Sequence, residues 1–149
     1  MNLINSIFEK LFLPLIPYSH YLLRFALGIS FFLHGYGKLP ISDGFIGWLD
    51  SQGVIYAELF AYLIAWGEMI SGIGIILGGL LAKLYPIPSN LLTRFSAGTI
   101  CVIMICALII AHSDWSIFTG ERWKVLFASE QLFLLTVGLY FLIIGNKSE

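Results

Sequence analysis

His34 and Lys38 stand four residues apart in LLRFALGISFFLHGYGKLP, residues 22–40, and Glu130 and Gln131 sit near the start of the last apolar stretch. A four-residue separation stacks two side chains on neighbouring faces of one helix. If the apolar stretches cross a bilayer, these residues share a depth with His112, which closes the third stretch on the same side. Two imidazoles, an ammonium and a carboxylate then gather from three helices. Such a set can hydrogen-bond the carbonyls of a quinone and exchange protons as it is oxidised or reduced. Histidine suits that task because its pKa lies near working pH. Trp48 and Trp115 stand in adjoining loops and could cover the cluster. Each residue alone has a plainer explanation: an interface anchor for Lys38, a backbone carbonyl partner for His34, a helix-end cap for His112. Their common depth favours a polar pocket of His34, Lys38, His112, Glu130 and Gln131 as the small-molecule site.

Arg24 and Glu68 form a second polar feature. Counted from the outer ends at about 1.5 Å per residue, Arg24 lies about 22 Å down the first stretch and Glu68 about 18–20 Å down the second. The spacing predicts an ion pair near the membrane midplane, because a bare charge in hydrocarbon is costly. Such a pair can serve only to fix helix register, and structural glue weighs about equally with a part in a polar site. Arg94 reads as a snorkelling arginine near the inner end of the third stretch. A bis-histidine haem between His34 and His112 ranks below the quinone reading, since paired histidines near a membrane face are common without haem. Cys101 and Cys106 match neither a redox pair nor a metal-ligand spacing. No HExxH metal motif, phosphate loop or Ser–His–Asp arrangement is present, so no metal is expected.

The elements that must position these residues follow from composition. Hydrophobic residues make up 58% of the 149 and charged residues 11%, more apolar surface than one core of this size can hide. Lipid is the expected solvent. Four stretches meet the length rule for spanning helices, at 21–39, 55–81, 91–111 and 125–144. Ile4, Ile7, Phe8, Leu11 and Phe12 recur at helical spacing before Pro14 and Pro17, the pattern of a short helix lying in the membrane surface. Phe45, Trp48 and Leu49 repeat that pattern in the first loop, and Trp115 and Trp123 suit headgroup-level anchors. Gly74 and Gly78 are spaced to let two helix backbones approach. The expected fold is therefore all-α: one domain over residues 1–149, an integral membrane four-helix bundle with an N-terminal interfacial amphipathic helix. Lys10, Arg24, Lys83, Arg94 and Lys147 against Lys38, Arg122 and Lys124 favour both termini inside. A net charge of −1 without a basic stripe argues against nucleic acid as a partner.

The chain resembles the DoxX family of small four-helix membrane proteins, related to a thiosulfate:quinone oxidoreductase subunit. The matching motifs are LLRFALGISFFLHGYGKL, AWGEMISGIGIILGG, RFSAG and ALIIAH, in family order between residues 22 and 145. The resemblance implies a bacterial or archaeal inner-membrane protein, with Arg24, His34, Lys38, Glu68, Arg94 and His112 as the family-type polar positions. It implies a redox setting without making this chain itself catalytic. The leading expectation is a redox-associated subunit that binds quinone or a similar small molecule at the outer cluster. The alternative is a non-catalytic assembly protein that docks a redox enzyme complex; a transporter built on Arg24 and Glu68 ranks last, since inverted repeats are missing. Expected partners are the bilayer and another redox or membrane-protein subunit, with a homo-oligomer left open.

Overall fold

The computed structural model describes residues 3–111, 115–121 and 124–147. Helix α1 (Leu3–Phe12) runs into a 3-10 segment (Leu13–Tyr18), followed by α2 (Ser19–Tyr36) and α3 (Asp43–Ser51). Then come α4 (Ala57–Leu80), α5 (Pro86–Ala111), a 3-10 turn (Leu126–Ala128) and α6 (Glu130–Ile144). The described residues contain no strand, only an isolated parallel bridge between Ser116 and Val125.

Local chemistry sets the boundaries. Pro14 and Pro17 cannot donate to an α-helical ladder, and α1 gives way there to the tighter 3-10 form. Helix α5 begins five residues before the expected 91, because Pro86 sits at its first position, where a missing N–H costs nothing. Helix α6 begins five residues after the expected 125. Ser129 caps it by accepting from the Leu132 N–H at 3.2 Å, and the preceding residues coil into the 3-10 turn. Ser42 caps α3 the same way, accepting from Phe45 N–H at 3.2 Å.

Helices α2, α4, α5 and α6 pack side by side in chain order, with a lighter contact between α2 and α6. Leu27, Phe31, Ile75, Ala97, Ile100, Met104, Leu134, Val137 and Phe141 form the core between them. A smaller cluster of Leu49, Ala57 and Ala61 lies where α3 covers the first turns of α4. Polarity is inverted relative to a water-soluble bundle. Arg24, Glu68, Ser71, Ser89, Thr93 and Ser96 are buried, while Leu22, Ile29, Leu33, Ile70, Phe95, Ile109 and Ile143 face outward. Helices α4 and α5 are each long and apolar enough to cross a membrane; α6, with fifteen residues, is apolar but shorter. No residue of α1 is buried.

The α2–α4 seam is set by small residues. A Cβ on Gly28 would lie 2.6 Å from the Gly72 carbonyl oxygen, and one on Gly72 would lie 2.5 Å from that of Gly28. Gly74 and Gly78 face Ser96 and Thr93 of α5, so both glycines of that spacing do serve a close helix approach. Neither backbone of the α2–α4 seam can yield to a methyl group. Gly72→Ala is expected to push the two helices apart and cost about 1–3 kcal/mol by overpacking. Thermal unfolding in detergent reads the loss, and Gly98→Ala, where a Cβ makes only an ordinary contact of 3.8 Å with Leu142, serves as the control.

Candidate functional site

The glycine seam fixes which residues of α2 and α4 face each other. Gly35 lies against Ala65 and Met69, Gly28 against Gly72 and Ile76, and Arg24 against Gly79. Arg24 therefore meets α4 about two to three turns beyond Glu68, and the expected Arg24–Glu68 ion pair is not made. The depth count assumed that both helices start level. Instead, α4 rises past the end of α2, and its first turns pack under α3. The register brings Glu68 to Lys38 instead.

At that end, three side chains of the α2 segment meet two carboxylates. Lys38, two residues past the end of α2, donates from Nζ to Glu68 Oε2 at 2.5 Å and to the His34 carbonyl at 3.2 Å. The second bond also satisfies one of the carbonyls left over at a helix C-terminus. His34 Nε2 lies 3.0 Å from Glu130 Oε1, and Ser30 Oγ donates to the same oxygen at 3.2 Å. Ser30, His34 and Lys38 follow one another at four-residue spacing, so they form one ladder along α2. The two ion pairs differ in exposure. The Glu68 side chain is 4% exposed and that of Lys38 25%, whereas His34 and Glu130 are 41% and 57% exposed. One pair is an internal strut, and the other is open to a ligand.

Of the expected pocket, His34, Lys38 and Glu130 are thus gathered, joined by Ser30 and Glu68. Gln131 is partly buried beside Glu130 on the first turn of α6. His112 lies outside the described residues, as do Asp114, Arg122 and Trp123. Trp48 stacks on Phe45 within α3, with ring centroids 6.1 Å apart.

The opposite end holds a second polar assembly. Arg24, 2% exposed, donates through Nη1 to the Ile75 carbonyl at 3.0 Å and to Thr93 Oγ1 at 3.2 Å. Through Nη2 it donates to the Gly145 carbonyl at 3.0 Å and to Asn146 Oδ1 at 2.7 Å. The guanidinium carbon lies 4.5 Å above the Phe141 ring centroid. Only Nε is left without a partner, pressed against Gly79. Gly145 adopts a positive φ of 65° at the end of α6, which turns Asn146 back into the bundle. Asn146 then donates through Nδ2 to the Gly78 carbonyl at 2.9 Å and to Ser89 Oγ at 3.1 Å, while its own N–H donates to Asn90 Oδ1 at 2.9 Å. Thr93 Oγ1 donates to Asn146 Oδ1 at 2.7 Å. Arg94, expected to snorkel, donates from Nη1 and Nη2 to the Leu142 and Ile143 carbonyls, each at 2.9 Å, and so caps α6. Asn146 escaped the sequence reading. The Gly-Asn pair directly after an apolar run was its signal, the usual end of a helix.

An all-helical bundle with an apolar exterior, buried polar residues and polar clusters at both ends defines the class: a helical protein built for contact with lipid. Residues 20–85 match the family model described as DoxX, a membrane-associated family. The match runs through α2, α3 and α4 and includes Arg24, His34, Lys38 and Glu68; Arg94, His112 and Glu130 lie beyond it. Neither the curated proteins nor the solved structures yield a match to the chain.

Proposed function

We propose that this protein is a redox-associated subunit of a bacterial or archaeal cytoplasmic membrane that binds a quinone, or a similar small molecule, at the His34–Glu130 pair. In this reading α2, α4, α5 and α6 all span the membrane with both termini inside, and the pair lies in the outer leaflet. The observation that carries the proposal is a half-exposed imidazole–carboxylate pair on the α2–α6 seam, backed by an internal Lys38–Glu68 strut. His34 Nε2 and Glu130 Oε1 can each share a proton with a quinone oxygen, while Ser30 holds the carboxylate in place. The electrons come from a partner subunit. Lys38 and Glu68 keep the end of α2 in position and touch no substrate.

Quinone-analogue binding to the purified protein in nanodiscs tests the reading. Removing a charge-assisted hydrogen bond costs about 1.5–3 kcal/mol, so His34→Ala and Glu130→Gln are each expected to weaken binding roughly 10- to 100-fold. Equal binding by wild type and both variants would refute this site. The docking role in a redox complex would then stand in its place.

A further inference from the structure

We propose that a groove on the outer face of α5, beside α6, holds one acyl chain of an anionic phospholipid whose phosphate meets the Arg94 guanidinium. The proposal rests on α5 crossing the bilayer and is independent of quinone binding. The groove measures about 540 Å³ and is lined by Leu91, Arg94, Phe95, Gly98, Val102 and Leu142, among others. Positions 91, 94, 95, 98 and 102 recur at three- and four-residue steps, so they form one stripe along the helix. From Arg94, where the headgroup sits, to 102 that stripe runs about 12 Å, most of one leaflet of a roughly 30 Å hydrocarbon core. It therefore seats most of a single acyl chain.

The floor of the groove is Gly98, where an added Cβ would meet only Leu142 Cδ1, at 3.8 Å. Phe95, 74% exposed, and Val102, 61% exposed, stand on its sides and remain uncovered by the protein. Charge selects the headgroup. Arg94 spends Nη1 and Nη2 on the neutral carbonyls of Leu142 and Ile143, and among the described residues it has no ion-pair partner. Its guanidinium is thereby drawn to the last turn of α6, at the end of the groove where a headgroup belongs. Residues 81–111 contribute Lys83 and Arg94 and not one Asp or Glu. A net negative headgroup is favoured at that end, because basic residues attract an anionic surface.

The test is native mass spectrometry of the full chain with phosphatidylglycerol or phosphatidylcholine of identical chains. Wild type is expected to retain one phosphatidylglycerol at least tenfold more strongly than phosphatidylcholine. Gly98→Leu fills the floor, leaves the bonds of Arg94 untouched, and is expected to abolish that preference while the protein stays folded by circular dichroism. Arg94→Gln is expected to abolish it too, but it also uncaps α6, so Gly98→Leu carries the decision. Equal retention of both lipids by wild type, or an unchanged preference in Gly98→Leu, overturns the site. Extraction of the protein from membranes by alkaline carbonate would instead overturn the spanning reading beneath it.

Discussion

Arg24→Met is expected to destabilise the bundle by about 3 kcal/mol, a loss larger than any surface substitution produces. Two opposing effects set the figure. Removing a buried cation relieves a desolvation cost on the order of 3 kcal/mol. Against this stand four hydrogen bonds to Ile75, Thr93, Gly145 and Asn146, each at the charge-assisted value of at least about 1.5 kcal/mol. The Ile75, Thr93 and Gly145 acceptors are buried with Arg24 and Asn146 is partly buried, so the loss prevails. Arg24→Lys tests geometry separately from charge. An ammonium cannot reproduce the planar fork that reaches acceptors on α4, α5 and the segment after α6, and about half of the loss is expected to remain. Asn146→Ala should approach the Arg24→Met value, because Asn146 also bonds Gly78, Ser89 and Thr93. Denaturation in mixed micelles measures all three. Wild-type stability in Arg24→Met would show that these four bonds are not needed to close α6 onto α2.

The same residues show what could be read from the sequence. Buried polar groups in apolar helices were visible as such: Arg24 and Glu68 are the two most deeply buried charges among the described residues. The His34, Lys38 and Glu130 grouping was also legible, because a four-residue step on one helix and a helix start on another leave few alternatives in depth. Pairing was not legible. Depth arithmetic needs the helix ends, and the α3 segment lets α4 overshoot α2, which moves the register by two to three turns. The decisive information lay in the glycines. Gly28 and Gly35 on α2 must meet backbone on α4, and that constraint fixes the register more firmly than counting from loops. Charge partners in such a bundle follow from where the backbones touch. A guanidinium with no carboxylate at its own level is then satisfied by carbonyls, as Arg24 is.

Lys38→Met is the second large effect, and it distinguishes a strut from a working group. It strands Glu68, 4% exposed, without its ammonium, and breaking a buried pair by removing one partner costs about 3–5 kcal/mol. The reciprocal change is asymmetric. In Glu68→Gln the freed Lys38 is 25% exposed and long enough to swing its ammonium outward, so a smaller loss of about 1–2 kcal/mol is expected. The double replacement Lys38→Met/Glu68→Met removes both charges together and should recover most of the stability, since an apolar pair of similar volume often matches a buried ion pair. Quinone-analogue binding measured on that double variant then separates the roles. If Lys38 and Glu68 only hold α2, the refolded bundle keeps the His34–Glu130 pair and binds as wild type does. A double variant that is stable yet has lost binding would place the buried carboxylate in the proton path, because nothing else about the α2–α6 seam would have changed.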